Sequence, residues 1–389
     1  MITIFWILLS IVIYAYIAYP ILLIVLCYFP GLFKKNNENS SAENPEVTLF
    51  IAAYNEIDFI DKKVSNSLSL NYPKEKVHQV WITDGSTDGT KKHLEKYNFI
   101  KVYHQEARNG KTGAINRGMK FVDTPIVIFS DANTELNKES INEIVKLFKD
   151  PTVGCVAGEK RIQLKGKDNA VNSGEGFYWK YESIIKKKES ELNSVIGAAG
   201  ELFAIRTNLF EEIKNDTILD DFIISMQIAQ KGYKIKYAPN AYATERASLN
   251  IKEELKRKVR IAYGGIQSIP RLKKSLNPFI NPVLSFQYFS HKLLRWTLVP
   301  FAFFSLFFVN FSILFLNNNS YIYKLAFLLQ VIFYLFVLFG YLFQSKSMKL
   351  KILFSPYYVF IMNLSQIIGI IRFSKKKQSV NWEKSKRDF

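Results

Sequence analysis

Uncharged apolar stretches stand at both ends of the chain, and short apolar and polar runs alternate between them. From Ile2 to Pro30 there is no charged side chain. This run exceeds the roughly 20 residues that a helix needs to cross the hydrocarbon core. A cleaved signal peptide has a shorter apolar region behind a basic start. We therefore predict a permanent membrane helix at residues 1–30, followed by a polar linker at 31–45.

The apolar pattern returns in the last third of the chain. Residues 297–316 and 321–343 are each long enough to span a membrane. A further apolar segment covers 352–373 and contains Pro356, which we expect to break it. Just before these segments, residues 276–296 mix basic and apolar side chains in the pattern of an amphipathic helix at the membrane surface.

The basic residues beside these segments predict the topology. Lys34 and Lys35 follow the first span, which favours a cytoplasmic location for the chain after them. If all three later segments crossed the membrane, the basic tail at 374–389 would lie outside. We therefore favour a re-entrant or interfacial segment at 352–373 over a spanning one. The protein would then be a multi-pass cell-membrane protein with its large middle region in the cytoplasm.

The middle region, residues 46–275, alternates β-rich runs with helical patterns. This order predicts an α/β domain, a mainly parallel sheet of the Rossmann-like, nucleotide-binding type. The predicted strands cover 47–53, 77–83, 100–104 and 125–130. The predicted helices cover 58–70, 90–97 and 111–121.

Polar side chains follow three of the predicted strands. They are Asn55 and Glu56, then Asp84, then Asp131 and Asn133. The carboxyl ends of neighbouring strands meet in one crevice, so we expect these side chains to face a common ligand. An acidic residue with an oxygen-bearing neighbour two positions on, as in Asp131 and Asn133, can hold Mg²⁺ or Mn²⁺ on phosphate oxygens.

Net charge and cysteine content indicate which other classes of protein the sequence does not fit. The formal net charge is +18, but the chain has no zinc-finger, RRM or homeodomain pattern, so we expect no nucleic-acid partner. Lys and Arg beside apolar segments fit contact with the lipid bilayer. The two cysteines, Cys27 and Cys155, make no disulfide framework, in keeping with a reducing cytosol.

Three further strings could carry chemistry. Lys111, beside Arg108, stands at a glycine-rich helix start that suits a diphosphate, although a solvated basic turn is the alternative. Asp220 and Asp221 precede a helical run, where one carboxylate could cap the helix and one could accept a proton from a hydroxyl. The basic string with Arg257 and Arg260 could clamp a diphosphate or lie on lipid.

Taken in order, these strings resemble the membrane-bound branch of glycosyltransferase family 2, the inverting GT-A enzymes. That branch includes the hyaluronan, chitin, cellulose and poly-N-acetylglucosamine synthases. The resemblance covers residues 46–275 and resumes in the tail, at Trp382, Glu383, Lys384 and Arg387.

The resemblance implies a role for each candidate residue. Donor binding falls to Asn55, Glu56 and Asp84 for uracil and ribose, to Arg108 and Lys111 near the phosphates, and to Asp131 in the DxD position with Asn133 as its metal-binding partner. Gly197 and Gly200 would border the acceptor. Asp221 matches the catalytic base, as the second residue of a pair with Asp220. Arg257 and Arg260 fall where processive members carry QxxRW.

The sequence departs from the family pattern at several of these places. Ala52 replaces a common Pro, Thr83 replaces the first Asp of a pair, and Asp220 replaces a Glu. Asn133 replaces the second Asp of DxD, which removes a charge from the metal site. Residues 257–261 read RKVRI and lack the Trp that would stack on a growing sugar chain, which puts processive synthesis in doubt.

The resemblance therefore implies an inverting transfer from a UDP-sugar, with Mg²⁺ or Mn²⁺, to a growing cell-surface polysaccharide. Single addition to a lipid-linked acceptor is the first alternative. A non-catalytic nucleotide-sugar-binding subunit is the second, and intact Asp131 and Asp221 argue against it. The resemblance leaves open a homo-oligomer or accessory subunits.

Overall fold

The computed structural model describes residues 1–28, 44–163, 170–246, 248, 251–316, 320–343 and 355–377. Most of the predicted linker, including Lys34 and Lys35, lies outside these ranges. So does most of the basic tail with Trp382, Glu383, Lys384 and Arg387. The described residues form one α/β domain beside a group of long apolar helices.

The α/β domain is built on an eight-stranded sheet with strand order β3-β2-β1-β4-β7-β6-β8-β5. The strands are β1 Val47–Ala53, β2 Val77–Asp84, β3 Ile100–Gln105, β4 Ile126–Ser130, β5 Glu135–Leu136, β6 Val153–Gln163, β7 Leu202–Arg206 and β8 Lys234–Arg246. The pairs β2–β3, β1–β2 and β1–β4 are parallel. β7 runs antiparallel to both β4 and β6, while β6 and β8 are parallel.

Helices cover both faces of the sheet because its strands are apolar on both sides. In β2, Val80 and Ile82 belong to one buried cluster and Trp81 to the other. The helices are α2 Ile60–Leu68, α3 Thr90–Leu94, α4 Gly110–Gly118, α5 Ser140–Leu147, α6 Ala170–Leu192, α7 Asp220–Gln230 and α8 Ile251–Arg271. Near-continuous apolar strands of this kind are typical of a doubly covered sheet.

The sequence-based prediction of an α/β domain is confirmed, and all four predicted strands are present. The sheet is more mixed than predicted, because β7 enters between β4 and β6 in the antiparallel direction. Two helices are shorter than predicted. The first predicted helix divides into a 3₁₀ turn, Ile57–Phe59, followed by α2, and α3 ends at Leu94.

Four helices are long and apolar enough to cross a membrane. They are α1 Ile2–Cys27, α11 Leu298–Phe315, α12 Tyr321–Leu342 and α13 Ser355–Ser374. α1 contains a π-helical turn at Tyr14–Ala18. The chain is therefore a membrane protein by the length and composition of these helices.

The beginning of α1 packs at the junction of α11 and α12. The Trp6 indole nitrogen donates to the Tyr323 hydroxyl at 3.2 Å, and the Phe5 and Tyr323 rings meet edge to face. This end of the helix group lies away from the α/β domain, since the hydrogen bonds between α1 and α6 involve the second half of α1, at Tyr16, Tyr19 and Cys27.

α13 lies against the other end of this helix group. Near its start, Tyr357 closely contacts Gly340 at the end of α12, and Phe360 contacts Phe304 of α11. Near its end, Gly369 packs on Ala262 of α8 so closely that a Cβ at Gly369 would lie 2.5 Å from the Ala262 Cβ. α13 therefore runs from the ends of the apolar helices to the α/β domain.

The predicted break at Pro356 can be followed only from Ser355 onward, because residues 352–354 lie outside the described ranges. α13 begins at Ser355, so Pro356 occupies its first turn. A proline is tolerated there because the amide hydrogen it lacks would have no partner within the helix.

The segment between the α/β domain and the apolar helices is helical, as predicted, but its basic side chains are not turned to water. It comprises α9 Pro282–Tyr288, a π-helical turn Phe289–Leu293 and α10 Leu294–Trp296. His291 bonds Glu189 at 2.7 Å and Glu182 at 3.1 Å, and Arg295 donates to Glu182 at 2.7 Å. These pairs are buried because the two carboxylates of α6 compensate the basic charge.

Candidate active site

A cavity of about 300 Å³ lies beyond the carboxyl end of β4, between the sheet, α7, α8 and the apolar helices. It collects residues far apart in the sequence, as expected where strand ends meet. Its lining includes these predicted site residues: Lys111, Asp131, Gly197, Gly200, Asp220, Asp221, Arg257 and Arg260.

A lysine stands among three carboxylates in this cavity. Lys111 Nζ lies 2.7 Å from Asp131 Oδ1 and 3.9 Å from Asp220 Oδ2. A Cβ at Gly200 would lie 3.3 Å from both Lys111 Nζ and Asp221 Oδ2. α4 supplies the lysine from its first turn, β4 ends just before Asp131, and the two other acids open α7. Both strand ends and helix starts therefore converge on one point.

Burial and neighbouring charges shift the pKa values of Asp221, Asp131 and Lys111. Burial, then the nearby charge of Asp220, raises the pKa of Asp221 to about 7. Burial also raises the pKa of Asp131, although Lys111 opposes the shift. The same carboxylates raise the pKa of Lys111 against the effect of its own burial, so the lysine remains a cation. A carboxyl group with a pKa near neutrality can accept and release a proton under physiological conditions.

Capping of α7 does not occupy both carboxylate oxygens of Asp221. Its Oδ1 accepts from the neighbouring Phe222 amide at 2.8 Å, while its Oδ2 lies 3.3 Å from the position of a Cβ at Gly200. Asp220 makes no capping bond, and its buried Oδ2 has no hydrogen-bond partner in the described chain. Helix capping therefore does not explain the pair.

Gly197 and Gly200 both occupy positions that a side chain would disturb. Gly197 has a φ of +81°, and a Cβ there would lie 2.1 Å from the Phe222 ring. A side chain at Gly200 would enter the space between Lys111 and Asp221. Glycine keeps this part of the cavity open beside the acidic pair.

A smaller recess adjoins the cavity at the ends of β1 and β2. Asp84 Oδ2 accepts from the amides of Asn109 and Gly110, at 2.9 and 2.7 Å. Its Oδ1 is buried and has no hydrogen-bond partner among the described residues, and burial raises the pKa of Asp84. The Arg108 guanidinium stacks on the Tyr54 ring, 3.7 Å from its centre. The recess therefore presents a hydrogen-bond acceptor, Asp84 Oδ1, next to the Arg108 guanidinium that stacks on Tyr54.

Asn55 and Glu56 organise the loop beside this recess. Asn55 has a φ of +53°, and its Oδ1 accepts from the Thr87 amide at 2.8 Å. The Glu56 amide donates to the Thr90 hydroxyl at 3.1 Å, and the Glu56 side chain is buried. Both residues thus lie next to the predicted nucleotide position, although neither lines the recess itself.

Arg257 and Arg260 reach the cavity from α8. The Arg257 guanidinium pairs with both carboxylate oxygens of Glu254, at 3.1 Å each. This pairing fixes Arg257 in the wall on the side opposite the sheet. The structure therefore brings both arginines to the cavity that holds Asp221.

The structure does not bring Asn133 to the cavity of Asp131. Asn133 lines a separate small recess, and its Oδ1 is buried without a hydrogen-bond partner in the described part of the chain. Lys63 lies beside it, with Nζ 2.6 Å from Ser130 Oγ and 2.8 Å from the Thr134 carbonyl oxygen. Lys63 therefore ties together the loop that carries Asp131. A metal-binding role for Asn133 stays a prediction.

The side chains in the cavity supply only part of a binding site for a divalent metal. Among the described residues there is no group of three or more His, Cys, Asp or Glu side chains that could hold an ion alone. Mg²⁺ is commonly held by one or two carboxylates together with substrate phosphates. Asp131 can supply such a carboxylate, and a bound diphosphate would have to supply further oxygens.

Several cavity residues had no recognisable sequence signal. Lys160 of β6 pairs with Glu201 and with Glu245, the latter at 2.6 Å, and both carboxylates line the cavity. Trp179 and Trp296 form aromatic parts of the wall. Glu201 was within reach of sequence reasoning, because it directly follows Gly200. The other four belong to no string of recognisable spacing.

The fold and site together define an α/β protein whose ligand cavity is closed on one side by apolar helices. Residues 48–214 match the family described as Glycosyl transferase family 2. This match lies within the region in which the motifs resemble that family.

Curated relatives and a solved structure extend this finding. The poly-beta-1,6-N-acetyl-D-glucosamine synthase of Staphylococcus aureus is 30% identical over 237 residues, covering 58% of this chain. That match spans only 56% of the S. aureus protein. The synthase of the same name from Staphylococcus epidermidis is 26% identical over 70% of this chain and 72% of its own length.

The mannosyltransferase PcManGT from Pyrobaculum calidifontis, solved with GDP-Man and Mn²⁺, superposes with a TM-score of 0.73. The superposition covers 97% of this chain and 99% of the other, at 20% identity. At that identity the similarity shows the fold. The GT-A-type domain with flanking apolar helices is thereby confirmed.

Proposed function

We propose that the protein is a membrane-bound inverting glycosyltransferase that transfers a sugar from a UDP-sugar to a growing cell-surface polysaccharide. One observation carries the proposal: Asp221, Lys111 and Asp131 meet at Gly200 in a single cavity. The two staphylococcal relatives are poly-beta-1,6-N-acetyl-D-glucosamine synthases, which supports an N-acetylhexosamine as the sugar.

Asp221 is the general base of this proposal. Its Oδ2 faces the space beside Gly200, where an acceptor hydroxyl can approach. The proton moves from the hydroxyl to Asp221 as the hydroxyl oxygen attacks the anomeric carbon from the face opposite the nucleotide. The bond from that carbon to the phosphate oxygen breaks, UDP leaves with the electron pair, and the anomeric configuration inverts.

Lys111 supplies fixed positive charge near the departing diphosphate. It is held by Asp131 and is a cation at neutral pH. A preorganised cation stabilises charge that develops in the transition state without reorganising first. Arg260, on the opposite wall of the cavity, can add to this charge.

Asp131 is the residue that would hold the metal, with Asn133 as a second ligand if its loop rearranges. Mg²⁺ or Mn²⁺ bound there would neutralise charge on the diphosphate. The P. calidifontis structure contains Mn²⁺, which supports a divalent metal in this fold without choosing between the two ions.

The recess at Asp84 is the proposed nucleoside site. The free Asp84 Oδ1 can accept from the uracil imide or a ribose hydroxyl, and the Arg108–Tyr54 stack offers a flat surface for the base. Asn55 and Glu56 hold the adjoining loop in place. Gly197 and Gly200 would then border the acceptor, and Arg257 and Arg260 would bind the nucleotide-sugar.

The activity should depend on pH through Asp221. A base must be deprotonated, so kcat/KM should rise with pH through about 7, the raised pKa of Asp221. In Asp220→Asn the neighbouring negative charge is gone, so the pKa of Asp221 should fall and the rising limb should move to lower pH. The measurement is the pH–rate profile of both proteins. If the rising limb lies at the same pH in both, ionisation of Asp221 does not determine that limb.

We also propose that α13 stays on the cytoplasmic side rather than crossing. Its start contacts the ends of α11 and α12 nearest the α/β domain, and its end packs on α8. The far end of the helix group is closed instead by Phe5, Trp6 and Tyr323. An interfacial α13 returns the basic tail to the cytoplasm, in line with the positive-inside rule.

Cysteine labelling tests this topology. A cysteine at Ser320 should react with a membrane-impermeant reagent in intact cells, because it precedes α12 at the outer end. A cysteine at Ser379, which follows the described part of α13, should react only after permeabilisation. Reaction of the Ser379 cysteine in intact cells would show that α13 crosses.

The functional proposal is tested by UDP release from purified protein with a panel of UDP-sugars, followed by sizing of the product. UDP-N-acetylhexosamines should be the best donors, and a ladder of products would indicate a polysaccharide. A single added sugar would favour the transfer to one lipid-linked acceptor. Sugar-nucleotide binding without any release would instead favour a non-catalytic subunit.

A further inference from the structure

A second cavity, of about 370 Å³, adjoins the catalytic one on the side of the apolar helices. The two cavities share six lining residues: Tyr178, Glu182, Lys292, Trp296, Met362 and Gln366. The outer part is lined by Val12 of α1, Phe303 of α11 and Val359 of α13. Val359 is also one of the exposed apolar side chains of these helices. The outer cavity therefore extends the catalytic cavity among apolar side chains of the long helices.

Three buried lysines surround one tryptophan near the junction. The ammonium groups of Lys160, Lys186 and Lys258 lie 5.5, 5.3 and 5.7 Å from the centre of the Trp179 ring. Their residues are only 3%, 8% and 4% exposed. We call this group the Trp179 cluster. A cation over an aromatic face is favourable, and the carboxylates beside Lys160 and Lys258 offset the charge of those two lysines.

Lys186 is the member of the cluster whose charge is not compensated. Lys160 pairs with Glu245 at 2.6 Å, and Lys258 pairs with Glu254 at 3.5 Å. No carboxylate of the described residues lies within 4 Å of Lys186 Nζ, which contacts the rings of Trp179 and Tyr237. An unpaired buried charge is costly, so Lys186, in the wall of the catalytic cavity, indicates an anionic ligand.

Gln366 marks the junction with a second unsatisfied group. It lies on α13, lines both cavities and is 9% exposed. Its buried Oε1 has no hydrogen-bond partner in the described ranges. Buried polar groups in native proteins are almost always satisfied, so this oxygen indicates a ligand with a hydroxyl or amide group in the passage.

We propose that the acceptor is carried on a membrane lipid phosphate, whose phosphate binds at the Trp179 cluster and whose hydrocarbon tail lies in the outer cavity. This inference rests on the proposed function and names the acceptor class for the same site. The hydroxyl end of the lipid-linked glycan would extend to Asp221 through the shared part of the cavities. The apolar side chains of α1, α11 and α13 in the outer cavity favour this amphiphile over a free soluble oligosaccharide.

Binding of a fluorescent polyprenyl phosphate to the purified full chain in nanodiscs, without donor, tests the inference. In Lys186→Met the apolar stem is kept and the charge is lost. Removing a charge-assisted contact should weaken this binding about 10- to 100-fold. Lys187→Met is the matched control, because Lys187 is the next residue of α6 and is exposed. It should bind as the unaltered protein does. The matching polyprenol, without phosphate, should bind weakly to all three.

The outcomes separate this inference from the proposed function. Equal binding of polyprenol and polyprenyl phosphate, or unchanged binding in Lys186→Met, would overturn it. So would a loss of UDP affinity in Lys186→Met with lipid binding intact, because the anion at Lys186 would then be the donor diphosphate. If instead the lipid binds as expected but no UDP-sugar is ever turned over, the proposed function fails while the lipid site stands.

Discussion

Asp221→Asn should lower turnover by about 100- to 10,000-fold, or roughly 3–5 kcal/mol of barrier. The amide keeps the shape of the side chain but cannot accept the proton of the acceptor hydroxyl. Binding of the UDP-sugar should change little, because Asp221 Oδ2 faces the space beside Gly200 rather than the recess at Asp84. The measurement is nucleotide affinity beside turnover in purified, folded protein.

Two neighbouring variants make this result specific. Asp220→Asn should retain most of its turnover at high pH, because the base is intact and only its pKa is changed. Lys111→Ala should weaken nucleotide binding itself, since it removes the cation between Asp131 and Asp220. Near-normal turnover in Asp221→Asn would mean that the proton is accepted elsewhere.

Removal of divalent metal should abolish activity, and Mn²⁺ or Mg²⁺ should restore it. The described residues offer no complete protein-only site, so the metal should bind tightly only when the donor diphosphate is present. Asp131→Asn removes the proposed carboxylate ligand and should cost about 100- to 1,000-fold in kcat/KM at a fixed metal concentration. The measurement is the rate as a function of metal concentration for both proteins.

Asn133→Asp provides the comparison. If the loop brings residue 133 to the metal, the added carboxylate should lower the metal concentration needed for half-maximal rate. If residue 133 stays in its separate recess, this variant should leave that concentration unchanged. Full activity of the unaltered protein in excess chelator would remove the metal from the mechanism.

The sequence could predict that distant polar residues meet in one site, because their meeting follows from the order of the strands. Asn55, Asp84 and Asp131 lie at or just beyond the ends of strands that pair in parallel, and such strands end at one edge of a sheet. The two acids before α7 could be assigned only through their resemblance to a family motif. The length of the uninterrupted apolar runs alone was enough to predict α1, α11 and α12.

The remaining parts depend on contacts between distant segments. The basic side chains of residues 276–296 predicted an amphipathic helix at the membrane surface. In the structure, His291 and Arg295 instead pair in the interior with Glu182, more than 100 residues earlier. The Trp179 cluster likewise takes its lysines from β6, α6 and α8. Single residues on separate elements leave no periodic pattern, so sequence spacing could not reveal either group.

Proton NMR of the transfer reaction tests the central claim most directly, because it follows the donor and the product linkage together. With an α-linked UDP-sugar, purified protein, metal and acceptor, we expect the donor anomeric signal to fall as free UDP and a β-linked product appear in equal amounts. An α-linked product would contradict single displacement at Asp221. An unchanged donor signal across the whole panel of UDP-sugars and acceptors would contradict the assignment as a UDP-sugar transferase.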